Sequence, residues 1–237
     1  MTSFTIDDFT YRRIAGADGV HLNVAVGGEG PAVVLLHGFP QTHYMWRHVA
    51  RLLAQQYTVI VPDLRGYGDS DKPAAQDVNT YSKRTMGNDI ITVVRELGFD
   101  SFGLVGHDRG ALVAVRAGLD HPESIAFLGI LDVLPTLDTW SVLQGVNAKV
   151  AWHLYLMAQP AGMPEKMIAA VAHEFYSSFL DAWDPLGIRS RLPSGTTTSR
   201  HRSRPRTRSW PTTERPREST STWTLPTASE ASSCPCR

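Results

Sequence analysis

Cysteine is nearly missing from this 237-residue chain. The only two, Cys234 and Cys236, sit at its C-terminal end with one residue between them. They cannot staple a core, which excludes a disulfide-framework fold and makes a reducing cytoplasm the expected setting. The opening Met1-Thr2-Ser3-Phe4-Thr5-Ile6-Asp7-Asp8 lacks a basic cluster and an apolar core, so it does not read as a secretory leader. No apolar run is long enough to span a bilayer, and no membrane partner is expected. Net charge is missing too, with 23 Lys+Arg against 23 Asp+Glu. That balance hides a split. Residues 1–188 carry 13 basic and 20 acidic side chains, and residues 189–237 carry ten arginines, no lysine and three glutamates. The two parts have net charges of −7 and +7, an asymmetry that marks separate segments.

The basic segment also lacks what a core needs. After Asp184 there is no Val, Phe, Tyr, Met, Asn, Gln, Lys or Asp, and Ile188 is the only isoleucine. Residues 189–237 hold ten Ser, ten Thr and six Pro besides the arginines. Such a composition cannot bury enough apolar surface to offset its ordering entropy, so residues 186–237 are expected to be a disordered tail. Three origins fit it: an Arg/Ser-rich arm that contacts nucleic-acid phosphates, a disordered linker, or out-of-frame translation of a GC-rich gene. The last is favoured by what is missing on either side of it. The core carries no basic stripe, so a nucleic-acid partner is not expected.

The preceding part alternates strand and helix patterns. Phe9–Ile14 and His21–Val26 read as antiparallel strands joined at Gly16-Ala17-Asp18-Gly19. Ala32–Leu36, Thr58–Val61, Phe102–Val105 and Ala126–Leu131 are short apolar runs of the kind buried in parallel sheets. Helical spacing falls at Trp46–Gln55, Ser82–Leu97 and Ala111–Leu119, then at Ala148–Met157 and Pro164–Ser178 outside the strand rhythm. The fold class is therefore α/β, a mostly parallel sheet with helices on both faces. Residues 1–135 form a six-stranded core and 136–185 a partial helical cap.

One motif carries the chemistry. Phe102-Gly103-Leu104-Val105-Gly106-His107-Asp108-Arg109-Gly110 is an apolar strand feeding a G-x-D-x-G turn, with a helical stretch behind it. This is the layout of a nucleophile elbow, with aspartate where esterases place serine. A carboxylate on such a turn suits displacement at saturated carbon and leaves a covalent ester on the enzyme. The plainer alternative for Asp108 is a helix cap.

Further motifs close neighbouring strands: Leu36-His37-Gly38-Phe39-Pro40-Gln41, Pro62-Asp63-Leu64-Arg65-Gly66-Tyr67-Gly68-Asp69-Ser70, and Leu131-Asp132-Val133. With the elbow, and with Trp152-His153 and Gln159-Pro160 downstream, this ordered set resembles the α/β-hydrolase family. Within it, residues 5–185 are most similar to the aspartate-nucleophile branch of haloacetate dehalogenases, haloalkane dehalogenases and epoxide hydrolases. The resemblance implies a hydrolase for a small organohalide or epoxide, without metal or organic cofactor, and is compatible with a homodimer. It makes Asp108 the nucleophile and Asp132 the acid that orients the catalytic histidine. It makes the N–H groups of Phe39 and Arg109 the oxyanion hole. Arg109, His153 and Tyr155 become substrate-binding candidates.

Three departures follow. The haloacetate branch pairs the arginine after the nucleophile with another one helical turn along, where this chain has Leu112. Its halide pocket pairs histidine with tryptophan, where this chain has His153 and Leu154. Both changes move the expected substrate from fluoroacetate toward a less polar alkyl halide or epoxide. The family's general base is a histidine after the last strand, yet eight of nine histidines lie at or before His173. The ninth, His201, stands among arginines that discourage proton acceptance. The last two strands have no counterpart either, which leaves Ala126–Leu131 as an exposed apolar edge. The expectation is thus a hydrolase that is catalytically incomplete as written. Two other classes remain open: a basic-tailed nucleic-acid-binding protein and a non-catalytic hydrolase-like binding module.

Overall fold

The computed structural model describes residues 5–74 and 78–183, so the tail expectation for residues 186–237 lies outside the described residues. Strands β1 (Thr10–Ala15) and β2 (His21–Gly27) form an antiparallel pair. The turn between them places Asp18 and Gly19 at positive φ, 55° and 73°. Strands β3 (Ala32–Leu36), β4 (Thr58–Pro62), β5 (Phe102–His107) and β6 (Ile125–Leu131) run parallel to one another. The sheet order is β1-β2-β4-β3-β5-β6, with β2 antiparallel to β4. All six strands expected from the sequence are present.

Helix α1 (Arg47–Leu53) follows a 3-10 turn at His43–Trp46, so the expected helix Trp46–Gln55 begins in a tighter coil. Helix α2 (Lys83–Glu96) starts at Ser82, whose hydroxyl accepts the Thr85 N–H at 3.1 Å. Its buried Met86, Ile90 and Val94 recur every four residues and make one apolar face. Helix α3 (Arg109–Asp120) leaves the elbow. Helices α4 (Thr136–Val142), α5 (Trp152–Met157), α6 (Met163–Ala170) and α7 (Ala172–Ala182) come after β6. The expected single helix Pro164–Ser178 is two helices broken at Val171, a β-branched residue at φ −135°. Helix α4 was not legible, because Thr136–Val142 buries no residue and so shows no apolar stripe.

One core lies between the sheet and α2–α3, built on Leu22, Val34, Leu36, Ile60, Ile90 and Leu104. A second, under α1, gathers Ile6, Val33, Leu35, Trp46, Val59 and Val61. Strand β3 feeds both, which is why all five of its residues are apolar and buried. Among the described residues β6 has a partner strand on the β5 side only. Its Phe127, Leu128, Ile130 and Leu131 are 38–49% exposed, an apolar edge with no charged guard.

Three buried polar clusters hold the strand ends that carry the site. His37 is fully buried; the Leu64 N–H donates to its Nε2 at 3.0 Å and its Nδ1 lies 2.9 Å from the Gly38 carbonyl. It is a neutral strut between the β3 and β4 ends, and burial pushes its pKa down to about 4. Asp63 is also fully buried, which by itself would raise its pKa. Donors from His43 (N and Nδ1, both 2.8 Å), Asn23 (3.0 Å) and Asp69 N (3.0 Å) outweigh that and hold it well below the usual carboxylate range. Arg65 forks onto Asp89 at 2.9 and 2.7 Å, both side chains buried, and also reaches the Thr80 and Ala17 carbonyls. The pair ties the β1–β2 turn, the β4 loop and α2 together.

Two outcomes are expected. Asp89→Ala strands a buried guanidinium and should lower stability by about 3–5 kcal/mol in urea titrations. For His37, the unfolded state binds more protons than the folded one between its pKa of about 4 and the ordinary 6.5. Its stability contribution is therefore full above pH 6.5 and falls as pH drops toward 4. Between pH 7.5 and 5 the native protein should lose about 2 kcal/mol more than His37→Gln does, read from urea midpoints.

Candidate active site

Asp108 sits where β5 turns into α3, at φ 48° and ψ −115°. A non-glycine residue there is strained, and the surroundings must hold it. Two glycines make the turn fit. A Cβ on Gly106 would lie 2.4 Å from the Gly110 carbonyl oxygen. A Cβ on Gly110 would lie 2.5 Å from the Leu36 and His37 carbonyl oxygens. The G-x-D-x-G spacing is thus a packing requirement of strand, elbow and helix. The Asp108 N–H donates to the Leu131 carbonyl at 3.1 Å, which ties the elbow to the end of β6.

The carboxylate faces the loop after β3. Phe39 N donates to Asp108 Oδ1 at 2.7 Å. Arg109 opens α3, so its N–H has no intrahelical acceptor. Phe39 and Arg109 also line one cleft of about 490 Å³, together with Gln41, Tyr67, Tyr81 and Tyr176. Gln41 Oε1 is buried there without a hydrogen-bond partner. Among the described residues the Arg109 guanidinium has no hydrogen bond or ion pair.

The other expected site residues fall differently. Asp132 follows β6 at φ 53°, its carboxylate 87% exposed. The imidazole nearest it is that of His107, with Nε2 to Oδ2 at 3.6 Å. His107 Nδ1 is buried and has no partner. His153 is buried in α5 and stacks on Phe39, centroids 5.8 Å apart and planes 10° apart, with Phe179 at 4.7 Å. Burial first, then Arg109, lowers its pKa, and Asp108 opposes them. Its Nδ1 also lacks a partner. Tyr155 donates its hydroxyl to the Leu143 carbonyl at 2.5 Å and packs edge-on against Trp140, so it is committed among the helices that follow β6.

Lys83 escaped the sequence reasoning. It opens α2 two residues after Tyr81, and burial, then Arg109, pushes its pKa down to about 8 while Asp108 opposes them. The available signal was a cation at a helix N-terminus with no acidic residue in the first turn, a placement the helix dipole disfavours. Among the described residues no group of three or more His, Cys, Asp or Glu side chains could hold a metal ion, and no helix is long and apolar enough to cross a membrane.

Known proteins place this geometry. Residues 31–162 match the α/β hydrolase fold family. The chain is 47% identical over 177 residues to a fluoroacetate dehalogenase of Burkholderia sp., covering 74% of this chain and 58% of that protein. It is 44% identical over 120 residues to a soluble epoxide hydrolase of Corynebacterium sp. (strain C12), covering 51% of this chain and 41% of that protein. A solved structure of a provisionally named α/β hydrolase from Nostoc sp. PCC 7120 superposes with TM-score 0.72 at 38% identity, covering 76% of this chain and 62% of that one. The chain therefore spans about two fifths to three fifths of the length of these relatives. With its sheet order, its elbow and its matched span, the chain belongs to the α/β hydrolase fold family, among relatives named as dehalogenases and epoxide hydrolases.

Proposed function

We propose that Asp108 is the nucleophile of a hydrolase that opens carbon–halogen or epoxide carbon–oxygen bonds through a covalent ester. The observation that carries this reading is the strained elbow that presents the carboxylate, with Oδ1 held by the Phe39 N–H at 2.7 Å. One carboxylate oxygen attacks the saturated carbon, and the halide or epoxide oxygen leaves with the bonding pair. Hydrolysis of the ester then develops negative charge on the former carboxylate oxygen, where the N–H groups of Phe39 and Arg109 would receive it. Arg109 anchors the substrate, and His153 walls the site from the cap, residues 136–185, over the core of residues 1–135. The family resemblance and the named relatives support the reaction class.

Release of the ester is the step this chain is proposed to lack. A base must accept a proton from water beside the ester. Among the described histidines, His37 has both nitrogens engaged by backbone and His43 is bonded to Asp63. Asp132, the acid expected to orient the base, stands against His107. The chain is then a nucleophile that captures its substrate and holds it.

The expected result with bromoacetate or a terminal epoxide is one ester adduct per chain, mapped to Asp108, that persists for hours and is missing in Asp108→Asn. Intact-mass and peptide-mapping spectra read it. Steady multiple turnover would overturn the proposed incompleteness. Absence of an adduct at Asp108 would overturn the nucleophile assignment, and ligand binding that survives Asp108→Ala would then favour a binding module.

A further inference from the structure

Strand β6 carries an edge that the proposed chemistry does not use. Its Leu131 carbonyl accepts the Asp108 N–H and so points toward β5. The N–H and C=O of one strand residue point the same way, and the direction alternates along the strand. The register irregularity between β5 and β6 lies before Phe127, so the alternation holds from there on. The backbone groups of Phe127, Gly129 and Leu131 therefore serve β5, and those of Leu128 and Ile130 turn outward. Among the described residues no strand receives them.

The side chains of β6 divide between the two faces of the sheet. Phe127 lies over Gly103, where a Cβ would fall 2.1 Å from its ring, and a Cβ on Gly118 of α3 would lie 3.5 Å from Leu128. By alternation Leu131 shares the Phe127 face and Ile130 shares the Leu128 face. All four side chains remain partly exposed. Natural edge strands are guarded by charge or proline, and the run from Ser124 to Leu131 has neither. The sequence after Asp184 offers no matching strand, with one isoleucine and no valine, phenylalanine, tyrosine or methionine. What matches β6 is β6 itself. Two copies laid antiparallel about a two-fold axis at Gly129 set each Leu128 opposite an Ile130 and each Phe127 opposite a Leu131. The outward N–H and C=O groups of Leu128 and Ile130 then bond across the pair. Gly129 meets Gly129 at the close position between those bonds, where two side chains would crowd. Every exposed apolar side chain of the strand gains an apolar partner.

We propose that β6 is a self-association surface, and that its occupant is the β6 of a second copy of this chain, antiparallel and centred on Gly129. The two six-stranded sheets become one continuous sheet. The pairing uses the same patch on both copies, so it closes at a dimer and leaves no free β6 edge for a third chain. A single strand pair buries less than the ~800 Å² per partner of a standard interface. The dimer therefore comes apart on dilution.

Sedimentation velocity on the full chain over a concentration series tests this, with amide hydrogen exchange of residues 125–131 read on the same samples. The native chain should pass from monomer to dimer as concentration rises, and the Leu128 and Ile130 amides should gain protection in step. Leu128→Lys and Ile130→Glu should each raise the dissociation constant by about a hundredfold or more, because the two-fold axis repeats every substitution. Mixing the two folded variants should restore dimers, since the register sets one substituted position opposite the other. A native chain that is monomeric at every concentration, dimers unmoved by either substitution, mixed variants that stay monomeric, or assemblies larger than a dimer would each overturn the proposal. Monomers whose Leu128 and Ile130 amides are already protected would show that the edge is covered from within the chain, and would overturn it as well. The exchange measurement needs no variant, so a substitution that fails to fold leaves the proposal open to refutation.

Discussion

A carboxylate held at φ 48° above the end of β5 is the constraint around which the rest of the site is arranged. An isolated aspartate would relax from that conformation at a gain on the order of 1–3 kcal/mol. It stays because the flanking backbone leaves no room for another path. Gly106 and Gly110 sit so close to carbonyls of α3 and β3 that any side chain there would overlap them. The Asp108 N–H is bonded to β6 and its Oδ1 to the Phe39 N–H. Three strand ends must therefore be in place before the carboxylate is.

That requirement explains why so much buried polar chemistry surrounds the strand ends. His37 joins the β3 and β4 ends, Asp63 gathers four donors beneath the β4 loop, and Arg65–Asp89 fastens that loop to α2. Loops of this kind have little apolar surface to pack. Satisfied hydrogen bonds in a low dielectric give them a single conformation, and any member left unpaired costs more than the bond was worth. Apolar packing sets the sheet, and these clusters decide where its C-terminal ends point.

The parts of the molecule governed by local rules were legible in the sequence. Six strands could be read because buried parallel strands are short continuous apolar runs, and the elbow could be read because two glycines bracket its aspartate at a fixed spacing, although the carbonyls that demand Gly110 come from the distant β3 end. What escaped depends on partners far along the chain. The break at Val171 interrupts a pattern that is helical on both sides. Tyr155 has a reactive hydroxyl on paper, and only the fold shows it bonded to Leu143. Asp132 could be assigned as an orienting acid from its place after β6, yet its facing His107 is fixed by how two strand ends meet. Lys83 carried a local signal, a cation at a helix start with no acidic residue in the first turn, but its partial burial is set by the fold.

Charge then links the elbow to the substrate. As the proposed nucleophile, Asp108 would need its own negative charge to attack, and a tight ion pair would blunt it. The arrangement found keeps the cations near but unbonded: Arg109 and Lys83 make no ion pair among the described residues, and the only direct donor named on Oδ1 is the neutral Phe39 N–H. A neutral donor holds the oxygen without quenching its charge. In the proposed reaction the ester would remove the charge of Asp108 while the Arg109 guanidinium keeps its own. The N–H groups of Phe39 and Arg109 would then face an uncharged ester oxygen, placed to receive the negative charge that the proposed hydrolysis returns to it.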